Sequence, residues 1–168
     1  MSDVARDEVV PRGYFRGPGE AELRWSGETR THFLATGETT GGAFCLIDET
    51  ARRGETVPLH RHPRDLESIY VVDGELSLFL NHAPARRAAA GAFAHFPAGS
   101  IHGFRVESGT ARYLLYTTPH HGEFYRAISR PPGPGGTPAT EPIDDAMIDE
   151  ACRRFDIELI GPLPDAET

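Results

Sequence analysis

An all-β barrel is the fold this sequence predicts, and three observations carry the prediction. From about Thr31 to Thr118 the chain runs through short stretches rich in Val, Ile, Leu, Phe, Tyr and Thr. Gly, Pro, Asp or Asn separates them, at the rhythm of strands and turns. The 168 residues suffice for one domain with its own core and are too few for two ordinary ones, so the strands have to close on one another.

The elements follow in order. Residues 1–28, rich in Gly, Pro and charge around PRGYFRGPGE, read as an extended N-terminal arm that Tyr14, Phe15 and Trp25 tack onto the barrel. Strands are expected at Thr31–Thr36, Ala43–Thr50, Glu55–His62, Glu67–Val72, Glu75–Leu80, Phe93–Phe96, Ile101–Glu107 and Ala111–Thr118. Asp73-Gly74 stands between two of these runs and supplies the positive φ a tight hairpin needs. The barrel therefore spans 29–120, and 121–168 forms a tail: a short helix at Gly122–Ser129, a linker too rich in Pro and Gly to fold alone, and a helix over DDAMIDEACRRF. In that last helix Ala146, Met147, Ala151 and Phe155 approximate one apolar face, which caps an open end of the barrel or serves as a lid over its pocket.

Composition excludes several classes of function. Seventeen basic against twenty-five acidic residues give a formal charge of −8, which repels nucleic acid and anionic membrane. No apolar run approaches the roughly 20 residues that cross a bilayer. The acidic, polar start MSDVARDEVV lacks the pattern of a secretory signal, so the cytoplasm is the expected compartment. Cys45 and Cys152 show no CxxC spacing and read as free thiols. A small molecule is the partner that remains.

The chemistry concentrates between Gly54 and His102. Side chains two apart on a strand share a face, so His60 and His62 point the same way, and a turn at Pro63–Asp65 returns Glu67 beside them. A second turn at Pro97–Gly99 leads into a strand with His102 near its start, a fourth ligand. Three neutral imidazoles and one carboxylate suit one divalent transition metal: Fe, Ni, Mn, Co, Cu or Zn. Residues sharing parity with these ligands, Ile69 and Val71 after Glu67 and Phe104 and Val106 after His102, are expected as pocket walls. Tyr113 and Tyr116 have opposite parity, so at most one reaches the pocket. His32, His82, His95, His120 and His121 match no ligand position and are expected at the surface or in hydrogen bonds, His95 being the one placed to orient a substrate or a ligand.

Gly54, His60, His62, Glu67 and Gly74, followed by Gly91, Pro97, Gly99 and His102, resemble the two signature motifs of the cupin superfamily, G-x5-HxH-x4-E-x6-G and G-x5-PxG-x2-H-x3-N. Only the last position departs, with Val106 in place of an asparagine that is not a metal ligand. The resemblance implies a cupin barrel, a double-stranded β-helix or jelly roll, and makes His60, His62, Glu67 and His102 the metal ligands. RTHFLATGETTGGAF before the motifs and FDIELIGPLP after them look like single-domain quercetin 2,3-dioxygenase-type cupins. That resemblance implies a dioxygenase that cleaves or oxidises a flavonol-like or other enolisable aromatic compound, with dioxygen as co-substrate and Glu67 as both ligand and catalytic proton acceptor. Two alternatives stand beside it: a non-oxidative cyclase, isomerase or decarboxylase of a secondary-metabolite (polyketide-type) pathway, and a small-molecule-binding cupin without chemistry. Edge strands that an N-terminal arm can cover by exchange make a homodimer the expected assembly.

Overall fold

The computed structural model of the chain describes residues 13–164 and contains two antiparallel sheets facing one another. The first has six strands in the spatial order β1 (Glu22–Ser26), β2 (Thr29–Ala35), β3 (Cys45–Arg52), β10 (Thr110–Thr117), β5 (Glu67–Asp73) and β8 (Phe93–Phe96). The second has five, in the order β11 (Glu158–Gly161), β4 (Thr56–Arg61), β9 (His102–Val106), β6 (Glu75–Leu80) and β7 (Arg86–Ala89). Alternation writes the inward faces. In β2 every second residue is buried, and Phe33, Ile47, Ile69, Leu76 and Leu115 meet in the core at 0–1% exposure. All eight strands expected from the sequence are present within two residues of the expected bounds.

Three strands are additions. β7 and β11 are four residues long, too short to stand out by pattern. β1 overturns part of the extended arm: Glu22–Ser26 pairs with β2 along its whole length, and Trp25 makes a second bridge to Arg130. Trp25 also donates from Nε1 to the Gly136 carbonyl, and the Tyr14 hydroxyl donates to the Leu34 carbonyl, whereas Phe15 is wholly exposed. Residues 1–12 of the expected arm lie outside the described residues.

The Asp73-Gly74 hairpin is a second correction. Gly74 does have a positive φ of 81°, yet β5 and β6 do not pair; the chain uses the turn to cross from the first sheet to the second. A Cβ at Gly74 would lie 2.4 Å from the Thr110 carbonyl oxygen. Glycine is required there for close approach of backbone as much as for turn geometry.

The tail folds back over one end of the barrel. α1 (Pro119–Ala127) starts three residues earlier than expected because Thr118 caps it, accepting from the His121 N–H, and Pro119 occupies the first turn without loss of a hydrogen bond. α2 (Asp145–Arg154) is capped by Asp144. Its buried face is Ala151 and Cys152, with Phe155 just beyond and Ile148 beside them; Ala146 is exposed and Met147 half-buried, because α2 rests on α1 and not squarely on the barrel. Cys45 and Cys152 are both buried and unpaired. No helix among the described residues is long and apolar enough to cross a membrane.

Candidate metal centre

Of the four expected ligands, His60, His62 and His102 come together, and Glu67 approaches His62 from the facing sheet. His60 lies on β4, directly opposite His102 at the start of β9, and a bulge between Val57 and His60 sets that register. His62 follows the end of β4, and Glu67 opens β5 on the facing sheet. The turn at Pro63–Asp65 therefore carries the chain between sheets, and Glu67 Oε2 stands 3.9 Å from His62 Nε2 across the barrel. All four are nearly inaccessible, with exposures of 5% for His60, 0% for His62, 1% for Glu67 and 1% for His102.

Each of the three histidines is locked by its own neighbourhood. Nδ1 of His60 donates to the Pro58 carbonyl at 2.9 Å, Nδ1 of His62 to the Asp65 carbonyl at 2.5 Å, and Nδ1 of His102 to the Ser100 carbonyl at 3.0 Å. A proton held on Nδ1 leaves the Nε2 lone pair free, the tautomer a metal-binding imidazole needs. Nε2 of His62 and of His102 are buried with no hydrogen-bond partner among the described residues. An unpaired buried polar atom costs about 1–3 kcal/mol, so two beside one another need an occupant. One ring nitrogen from each of His60, His62 and His102 lies within 4.8 Å of the other two, a donor set suited to one divalent ion.

Electrostatics favour a cation at this point. Burial pushes the imidazoles of His62 and His102 down to about 4, so both are neutral at physiological pH. Burial acts to raise the Glu67 carboxyl, but the hydrogen bond from His121 and the imidazoles of His102, His121 and His60 outweigh it and hold Glu67 well below the usual carboxylate range. The site thus presents neutral nitrogens and one ionised carboxylate.

His121, expected at the surface or in a hydrogen bond, is 1% exposed and belongs to the site. Its Nε2 lies 3.0 Å from Glu67 Oε2, to which the Tyr125 hydroxyl one helical turn on also donates at 3.2 Å. Asp65 aims them: its carboxylate accepts from Thr118 Oγ1 at 2.5 Å and His120 Nδ1 at 2.9 Å, tying the start of α1 to the turn that orients His62. The signal available in sequence was Thr118-Pro119 as a helix start, which puts His121 and Tyr125 on one face at i and i+4.

A cavity of about 570 Å³ opens onto His60 between β4, β11 and the two tail helices, with His121, Phe124, Tyr125, Ile148 and Leu159 among its walls. That is the size of an ordinary small-molecule site. Ile69, Val71, Phe104 and Val106 are placed elsewhere, in the core at 1–3% exposure. Sharing parity with a ligand takes them into the barrel core, while the cavity is walled in part by helices that strand parity cannot foresee. Tyr113 is buried and bonded to Glu49, Tyr116 is exposed, and His95 is exposed with Nδ1 2.9 Å from Ser68 Oγ.

Comparison with known proteins agrees with this architecture. Residues 49–117 match the family model of the cupin domain. Over 147 residues the chain is 30% identical to quercetin 2,3-dioxygenase of Bacillus subtilis, covering 86% of this chain and 43% of that protein, so it spans less than half the length of that relative. Among solved structures, KdgF from Halomonas sp. aligns with a TM-score of 0.58 at 19% identity, over 64% of this chain and 94% of that one. The polyketide cyclase RemF from Streptomyces resistomycificus aligns with a TM-score of 0.55 at 20% identity, over 64% and 80% of the two chains. Identities this low speak for the fold alone. Two facing antiparallel sheets, the signature ligands buried between them and the match over 49–117 make this chain a member of the cupin superfamily, quercetinase-like in sequence.

Proposed function

We propose that this cupin is a metal-dependent dioxygenase that cleaves or oxidises a flavonol-like or other enolisable aromatic compound. The observation that carries the reading is the pair of buried, unpartnered Nε2 atoms of His62 and His102 beside an ionised Glu67, next to a mostly apolar cavity. The 30% identity to a quercetin 2,3-dioxygenase supports the choice of reaction.

His60, His62 and His102 would hold the metal through Nε2 and Glu67 through its carboxylate. The bound ion supplies Lewis acidity and exchangeable positions for substrate and dioxygen. The chain's own residues do the rest. Phe124, Ile148, Ile157 and Leu159 offer apolar wall to a flat substrate, and α1 and α2 cover that wall from water. Glu67, ionised at neutral pH, takes the proton of the substrate's enol or hydroxyl at a carboxylate oxygen. Tyr125 stays protonated, its hydroxyl pushed well above the ordinary tyrosine range by burial and by Glu67, and so remains a donor that steadies the carboxylate.

The test is elemental analysis of freshly purified protein followed by oxygen-electrode measurements with quercetin. One equivalent of iron, nickel, manganese, cobalt or copper and stoichiometric oxygen uptake are expected. Turnover that continues unchanged in an anaerobic chamber would move the assignment to Lewis-acid chemistry of the cyclase, isomerase or decarboxylase kind. Absence of metal would overturn the catalytic reading.

A further inference from the structure

We infer that His121 is a fifth protein donor to the metal, supplied by α1 from outside both signature motifs. The inference rests on the metal reading of the site given above. Nε2 of His121 stands 3.0 Å from Glu67 Oε2, and the ligand atoms of His62, Glu67 and His121 all fall within 4.8 Å of one another, as do those of His60, His62 and His102. The two sets share His62 and so adjoin at that imidazole.

The rings agree with the atoms. Centroids of the three strand histidines are separated by 4.4 Å, 4.8 Å and 5.5 Å, and the His121 ring is 4.1 Å from that of His62. His121 is packed against His62 as closely as the motif histidines are packed against one another. Two donors at about 2.1 Å from one ion and at right angles are about 3 Å apart, which is the separation from Glu67 Oε2. That oxygen already accepts from Tyr125, so it is supplied with a hydrogen bond without His121.

The position of His121 is also built. Asp65 sets two imidazoles at once: its carbonyl fixes His62, and its carboxylate fixes the helix start that delivers His121. Phe124 stacks on the His121 ring at an interplanar angle of 9° and defines its plane. One feature separates His121 from the strand histidines: its Nδ1 has no partner among the described residues, where theirs are locked to carbonyls.

Cobalt(II) added to the full-length apo protein is the probe, read by visible absorption and by competition with a chromophoric chelator. Wild type is compared with His121→Ala, His121→Gln and Tyr125→Phe, the folds matched by circular dichroism. Glutamine keeps an N–H for Glu67 but removes the imidazole donor. Both His121 variants are expected to bind Co(II) at least tenfold more weakly, with displaced visible bands, while Tyr125→Phe keeps the wild-type spectrum. A wild-type spectrum and affinity in His121→Gln, or in both variants, would overturn the assignment and leave His121 as a hydrogen-bond donor to Glu67. Wild-type protein that takes up no Co(II) would instead refute the metal site itself.

Discussion

The centre is assembled from two kinds of region, and they place a histidine in different ways. On the strand side, His60, His62 and His102 are oriented by carbonyls two or three residues away in sequence. On the helix side, His121 depends on contacts far along the chain: Asp65 to Thr118, Cys45 against Gly122, Glu22 to Arg126, and Arg24 to Ser129. A site held locally can be carried by a short pattern of residues. One held at long range cannot, because the determinants of its geometry are scattered over a hundred positions.

Variants can break or sharpen this contrast. The largest effect is expected on the strand side: His60→Ala with His62→Ala should abolish metal retention and all activity while circular dichroism still reports a folded barrel. Retained metal would locate the ion elsewhere. Next, Glu67→Gln should keep at least part of the metal yet lose about 10²–10⁴-fold in turnover, the usual worth of a positioned base. Full activity in that variant would remove its proton-acceptor role.

A third variant probes the core beside the centre. Glu49, fully buried, accepts from Thr31 and Tyr113 and faces Glu67 and Glu55; burial first, then those carboxylates, push it up to about 7. Between the unfolded value near 4.5 and about 7, only the folded state holds the proton. The stabilisation is thus complete below about 4.5 and lost as pH rises through 7. Glu49→Gln should therefore stabilise the apo protein at pH 8, by on the order of 3 kcal/mol, and change it little at pH 4.5. Equal shifts in thermal midpoint at both pH values would contradict the buried-acid description.

The smallest expected effect is on the helix side. Asp65→Ala removes the acceptor of Thr118 and His120 but not the carbonyl that locks His62, so it should cost about 1 kcal/mol. Hydrogen exchange should quicken in α1 with metal content unchanged. Loss of metal in this variant would show that the two sides are not separable.

The same division explains what the sequence disclosed. Strand alternation and the motif spacings are local, so the eight strands, the barrel and the burial of His60, His62, Glu67 and His102 between the sheets were legible. Gly74 was legible as a turn and not as a crossing, because which strand follows on which sheet is decided by partners such as Thr110. β1 was hidden in Gly- and Pro-rich surroundings, and its pairing is secured by Arg130 and Ser129, more than a hundred residues on. The walls of the cavity escaped for the reason His121 did: they lie on helices whose docking no local pattern encodes.

Gly122 has a Cβ position only 2.5 Å from the Cys45 sulfur, so α1 sits on that thiol with no space between them. Cys45 is 1% exposed, and burial pushes its thiol up to about 11, silencing it twice over, by access and by ionisation. Cys152, on α2, is buried in the neighbouring cluster. The chain therefore carries one native chemical clock under each helix. The rate at which a thiol reagent modifies Cys45 counts the moments when α1 lifts from the barrel, without a label having to be introduced.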